Sequence, residues 1–164
     1  MNLTIPTQKF LTRNVSWLET KNNTIMTGTF TKICYNTPHM TMNGLYLYFP
    51  VVITPTDIIP DKTQLKFNSQ SSENHRTIKE FTIIEHKILD NYIQTRHKSL
   101  KKVQLLSKQL LSGFMKVYKE TNYVDLPQYN EYCVKISGVW ETHNECGLTY
   151  KLFGGMSTTD MLSS

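Results

Sequence analysis

A mainly β domain, α+β by content, with one helical insertion is what this sequence predicts, and three observations carry the prediction. Segments rich in β-branched and aromatic residues, punctuated by turn formers, fill the first half of the chain. After the polar run Ser69 to His75, which reads as a loop, the apolar period changes from that of a strand to that of a helix. Near the carboxyl end two alternating runs return: Tyr132-Cys133-Val134-Lys135-Ile136-Ser137-Gly138-Val139-Trp140, then, past a short polar turn, Gly147-Leu148-Thr149-Tyr150-Lys151-Leu152-Phe153.

The first-half strands are expected at Val15 to Thr20, Ile25 to Tyr35, Leu45 to Ile53 and Gln64 to Asn68. Lys21-Asn22-Asn23, Asn43-Gly44 and the segment from Pro55 to Pro60 separate them. Asn43-Gly44 predicts a type I′ hairpin turn, because both central residues of that turn need positive φ and these two tolerate it. Thr77-Ile78-Lys79-Glu80 fits a capping box, and Ile78, Phe81, Ile84, Ile88 and Tyr92 follow at helical spacing, so a helix is expected from Thr77 to Gln94. A second helix is expected from the spacing of Leu100, Val103, Leu106 and Leu110, with Gly113 placed for a left-handed terminus. Phe114 to Tyr118 reads as a strand, and a connector containing Pro127 leads to the terminal hairpin. There Tyr132, Val134, Ile136 and Trp140 fall on one face by period-two counting, as do Leu148, Tyr150 and Leu152 in the next strand. Gly138 marks either a β-bulge that re-aims Trp140 or a barrel corner.

Strands, a helical insert between strands 3 and 4, and two more strands give the connectivity of a five-stranded Greek-key barrel of the OB type, here with an extra N-terminal strand or hairpin. An α+β sandwich with helices over one sheet face has the same strand count. The 164 residues suit one core, so a single OB-like domain over 1–153 and a flexible C-terminal tail over 154–164 are expected.

The chain carries a net charge of +5, which favours a polyanionic partner. Its distribution is uneven. Between Arg96 and Lys119 stand seven cations and no carboxylate, so the remainder of the chain is net acidic. Such a run is either a solvated helix face or a phosphate-facing patch. The three cysteines, Cys34, Cys133 and Cys146, form no CxxC pair, and no apolar run of signal or membrane-spanning length is present, so an intracellular location and no membrane partner are expected.

Flat rings beside cations are what a single nucleic-acid strand requires. Trp17, Phe30, Tyr35, Tyr46, Tyr48, Phe67, Trp140 and Tyr150 all lie in expected strands, and most must be core. Tyr46 and Tyr48 share one strand face and Leu45, Leu47 and Phe49 the other, which separates a candidate platform from a candidate core. The stacking candidates are Trp17, Tyr46, Tyr48, Trp140 and Tyr150. The phosphate candidates are Lys32, Lys66, Lys135 and Lys151 in strands and Arg96, Lys98, Lys101, Lys102 and Lys108 in the basic run.

Leu89 to Tyr92 with the basic gap after it, Leu100 to Gly113 with Phe114-Met115-Lys116-Val117-Tyr118, and above all Lys135-Ile136-Ser137-Gly138-Val139-Trp140-Glu141 with Gly147-Leu148-Thr149-Tyr150-Lys151 carry a resemblance. Over about its last half the chain resembles the small OB-fold single-stranded DNA-binding proteins of large DNA viruses and virus-like, Polinton-type transposons. The resemblance implies coating of exposed strands during genome replication or recombination, in the nucleus or cytoplasm of an infected host cell. Single-stranded DNA is then the expected partner, with RNA, self-association and replication proteins as further partner classes. The strongly acidic tail of some such proteins is missing, since Asp160 is the only carboxylate side chain after Glu145.

An enzyme is not expected: the five Asp and eight Glu form no D-x-D pair, and neither HExxH nor a Gly-rich phosphate loop occurs. No cofactor or metal is expected either. Cys133, His143 and Cys146 lack an evident fourth ligand, and cysteine is most often a small buried hydrophobe. The rival readings are a non-enzymatic viral protein–protein interaction or structural module, and a duplex binder that lays its basic helix in a groove.

Overall fold

Alternation along the strands decides which side of the sheet is buried. In the computed structural model, which describes residues 4–23, 25, 27–53, 64–118 and 131–154, nine strands form one sheet. They are β1 (Val15–Asn22), β2 (Thr29–Asn36), β3 (Thr41–Asn43), β4 (Leu45–Phe49), β5 (Gln64–Lys66), β6 (Lys101–Val103), β7 (Phe114–Tyr118), β8 (Tyr132–Glu141) and β9 (Glu145–Gly154). The main path runs β1-β2-β8-β9-β7-β5, with β3 on β2, β4 on β8 and β6 on β9. Among the described residues this path does not close. The fold is mainly β, as expected, but it is an open nine-stranded sheet where the sequence predicts a five-stranded barrel. The strands not expected from the sequence, β3 and β6, are three-residue pieces too short for alternation to reveal, and β5 is a shortened form of the strand expected from Gln64 to Asn68.

The helices α1 (Ser72–Arg96) and α2 (Leu105–Ser112) pack on one face of this sheet. Ile78, Phe81, Ile84, Ile88 and Tyr92 of α1 are all buried, as their spacing predicts, and Phe81 meets Phe49 of β4 edge to face at 5.5 Å. The start of α1 differs from expectation. Ser71 caps it, its hydroxyl accepting from the Asn74 backbone N–H at 3.3 Å, and the Asn74 amide ties the first turn to both backbone groups of Val52. Thr77 and Glu80 lie inside the helix: Thr77 donates to the Glu73 carbonyl, and Glu80 accepts from Thr7 at 2.6 Å.

The second helix is shorter than its apolar spacing suggests, because Lys101–Val103 pairs in parallel with Glu145 to Gly147 before the chain coils. Gln104 gives α2 no side-chain cap. Glu85 of α1 caps it instead: its fully buried carboxylate accepts from the Leu106 and Ser107 amides, both at 3.0 Å, and from the Ser107 hydroxyl. Burial pushes the Glu85 carboxyl above its ordinary range, and those hydrogen bonds oppose the push. Gly113 closes α2 at φ 74°, as expected.

Two turns depart from their sequence readings. Gly44 has φ 108°, but the flanking strands pair with different partners, β3 with β2 and β4 with β8, so Asn43-Gly44 turns a corner rather than closing a hairpin. Ile25 stands 94% exposed between β1 and β2 rather than within a strand. Gly154, assigned to the tail, pairs with Tyr132. The rest of the tail, the Pro55 to Pro60 segment and the Pro127 connector lie outside the described residues. No described helix is long and apolar enough to cross a membrane.

Candidate nucleic-acid interface

A β-bulge determines what the open face of the sheet displays. Ile136 pairs with Tyr150, and Gly138 pairs with Thr149, so Ser137 is an extra residue on β8 and the alternation inverts beyond it. Before the bulge Tyr132, Val134 and Ile136 are buried beneath the helices. After it Val139 takes the buried side, and Trp140 turns to the opposite face. The face assigned to Trp140 by simple alternation is thereby corrected, and a bulge stands beside Gly138. A second irregularity between Trp17 and Thr20 of β1 likewise brings Lys21 opposite Phe30.

The open face then reads as rows across the strands, spaced by about 7 Å, the repeat of alternate strand residues. Lys21, Phe30, Trp140 and Gly147 form one row from β1 to β9. Lys32, Gly138 and Thr149 form the next, Tyr46, Lys135 and Lys151 the third, and Tyr48, Cys133, Phe153 and Tyr118 the fourth. The two outer rows are mainly aromatic, and the two between them carry Lys32, Lys135 and Lys151.

Two glycines make room for the rings of the first row. A Cβ at Gly147 would stand 2.5–2.9 Å from three atoms of the Trp140 indole, and one at Gly138 would stand 2.8 and 2.9 Å from two atoms of the Phe30 ring. The indole therefore covers Gly147 and the phenyl reaches over Gly138. Each ring lies low on the sheet, partly exposed.

Two cavities open on this face and share Lys21 and Phe30. The larger, about 960 Å³, is lined by Phe30 and Tyr46, by Lys21, Lys32 and Lys135, and by the polar groups of Glu19, Asn43 and Ser137. The smaller, about 410 Å³, runs past Phe30 to Trp140 and Thr149, with Asn22 and Asn23 at its rim. The Lys135 ammonium lies 5.4 Å from the Tyr46 ring centre, and those of Lys116 and Lys151 each lie 4.9 Å from the Tyr118 ring. Lys135 and Lys151 are direct cross-strand neighbours, an arrangement that costs stability unless an anion answers it.

Six of the sequence-predicted residues share this face: Tyr46, Tyr48, Trp140, Lys32, Lys135 and Lys151. Tyr46 is only 5% exposed, its ring covered by Lys135. Burial and the neighbouring Glu131 raise the Tyr48 phenol above its ordinary value. Lys66 stands apart, exposed on β5 opposite Phe114 at the far edge of the sheet.

Trp17 and Tyr150 are on the helix side, which removes them as stacking residues. The Trp17 indole donates to Asn91 at 2.8 Å and meets Tyr92 edge to face at 5.1 Å. The Tyr150 hydroxyl donates to Gln109 of α2, and burial, with the charge of Glu85 behind it, pushes the phenol up to about 12.

Two cations of the basic run are answered by carboxylates outside it. Lys98 pairs with Glu141 at 2.6 Å and Lys102 with Asp90 at 2.5 Å, where His86 also contacts the carboxylate. Arg96 lies 5.5 Å from the Tyr92 ring centre. Burial resists ionisation of Glu141, but hydrogen bonds from Lys98 and Tyr92 prevail and hold its carboxyl below the usual value. Lys101 and Lys108 are exposed, with no ion pair among the described residues. Lys98 and Lys102 are thus held in ion pairs, apart from the exposed Lys101 and Lys108.

Set against family models, curated proteins and solved structures, the chain matches none. What the face can bind is decided by its own side chains. No three His, Cys, Asp or Glu among the described residues are placed to hold a metal ion. Cys133 lies in the open-face row with Tyr48, whereas Cys146 is on the helix side, where burial foremost raises its thiol to about 11.

Sequence reasoning missed Lys21 and Phe30 as site residues. Phe30 and Lys32 share a face of one strand, a signal present in the sequence, but the row that joins Lys21 and Phe30 to Trp140 depends on two bulges.

Proposed function

We propose that the open face binds single-stranded DNA with little regard to sequence, without catalysing a reaction. Bases would stack on Phe30 and Trp140, and phosphates would meet Lys21, Lys32, Lys135 and Lys151. The supporting observation is the first cross-strand row, where two partly exposed rings lie low over glycines beside two cavities lined by lysines. A base stacked on an exposed ring contributes about 1–3 kcal/mol whatever its identity, and lysines contribute through counterion release. The OB-type reading belongs to this proposal: β8 pairs with β4 along one half and β2 along the other, with a bulge between, as a strand does at a barrel corner. Coating of exposed strands during viral or element genome replication or recombination is the role that the sequence resemblance adds.

The test is a fluorescence titration with oligo-dT, oligo-rU and a duplex of equal length, at low and high salt. Saturable quenching by oligo-dT that weakens with salt and is absent with duplex is the expected result. Absence of both quenching and a mobility shift would overturn the proposal in favour of a protein–protein interaction module, and tighter duplex binding would overturn it in favour of groove recognition.

A further inference from the structure

The larger cavity holds one group that a pure phosphate groove would exclude. Glu19 lines it together with Lys21, Lys32 and Lys135, yet among the described residues the Glu19 carboxylate accepts no hydrogen bond and forms no ion pair. A carboxylate here repels the backbone of a polyanion, so its useful counterpart in a bound strand is a donor on a base. Asn43 and Ser137 line the same cavity, and both can donate and accept hydrogen bonds. Phe30 adds apolar surface against which a base plane can rest. The volume, about 960 Å³, admits a nucleobase with its sugar.

We infer that this cavity receives a base carrying an exocyclic amino group, with Glu19 accepting from that amino group, and so disfavours thymine and uracil. The inference rests on the single-strand reading of the face and deepens it. The preference is a local bias superimposed on sequence-tolerant binding, because stacking on Phe30 and Trp140 in the neighbouring row ignores base identity. Cytosine and thymine make the cleanest comparison. Both are single-ring bases of similar stacking area, and cytosine presents an amino group where thymine presents a carbonyl oxygen, which a carboxylate repels.

The experiment is a competition between short oligo-dC and oligo-dT at neutral pH, read by anisotropy of a labelled strand, for the natural protein and for Glu19→Ala. The natural protein should favour oligo-dC by roughly threefold to tenfold, the range expected of one charge-assisted hydrogen bond in a partly solvated site. In Glu19→Ala the ratio should fall to about one while oligo-dT binds slightly more tightly, since a like charge has been removed. Glu19 is exposed on β1, so the variant should keep its fold, which a thermal melt checks. An independent arm leaves the protein unaltered and uses oligo-dC whose amino groups are dimethylated; its affinity should fall to that of oligo-dT. Equal binding of oligo-dC and oligo-dT by the natural protein, or a preference that survives Glu19→Ala, overturns this inference and leaves single-strand binding intact. Failure of both oligonucleotides to bind overturns the proposed function, and this inference with it.

Discussion

Two groups of cations on this protein differ in what answers them. On the open face Lys21, Lys32, Lys135 and Lys151 stand among rings, and no described carboxylate ion-pairs with any of them. At the edge where α1 runs into β6, Lys98 and Lys102 are bound to Glu141 and Asp90. The second pair lies in the densest basic run of the sequence, yet each of its two charges is answered by a carboxylate. A run of lysines therefore locates a binding surface only once the carboxylates around it are placed, and here those partners come from β8 and from the C-terminal part of α1.

The tryptophans give the largest contrast between the two sides of the sheet. Trp140→Ala should weaken oligo-dT binding by about tenfold to a hundredfold, the loss of one stacked base. Trp17→Phe should leave affinity unchanged but lower the melting temperature, because it removes the hydrogen bond to Asn91. Fluorescence of Trp140→Phe and Trp17→Phe separates the signals. Quenching that persists in Trp140→Phe would break the assignment of the binding face.

Gly138→Ala should come next, with a stability loss of about 1–3 kcal/mol measured by denaturant unfolding. Its Cβ would stand 2.2 Å from the Thr31 carbonyl oxygen, backbone that cannot step aside cheaply. An unaltered midpoint would mean that the bulge is looser than its pairing implies.

Charge removal sharpens the comparison further, since the two lysine groups should respond with opposite signs. Replacing Lys135 and Lys151 together by Gln should raise Tm by about 1–3 °C, by relieving cross-strand repulsion. The same change should reduce the slope of log affinity against log salt by about 1.4. Replacing Lys98 and Lys102 by Gln should lower Tm and leave the salt slope nearly unchanged.

The smallest effect is a pH dependence. The Glu141 carboxyl is depressed in the folded protein, so its contribution is fully present above the unfolded carboxylate value, roughly 4.3, and is lost as pH falls through the folded value. Glu141→Gln should flatten the acid limb of unfolding free energy against pH by about 0.5–1 kcal/mol, a modest figure because Lys98 is half exposed. An acid limb as steep as that of the natural protein would assign it to other carboxylates.

Much of this fold was legible wherever period alone decides. Alternation separated Tyr46 and Tyr48 from Leu45, Leu47 and Phe49, helical spacing marked the buried stripe of α1, and Gly113 closed α2 where a left-handed residue was wanted. It failed where one residue is inserted or where a partner is remote. The extra residue at Ser137 inverts the side of Trp140, and nothing in the local pattern distinguishes a strand glycine that bulges from one that does not. Tyr150 keeps regular alternation, but its accessibility was settled by α2 lying over that side. The pairing of Lys98 with Glu141 spans chain segments that no local reading connects.

The partner-switching of β8 also bears on how the chain is assembled during synthesis. β2 and β4 are made early, whereas the strand that joins them through backbone hydrogen bonds is made only after both helices. Until then the edges of β2 and β4 that β8 will fill stay unpaired, the kind of surface that recruits wrong neighbours. β1, β2 and β3 can pair with one another early, but the β2–β8 and β4–β8 pairings must wait for β8, so the centre of this sheet is expected to form late.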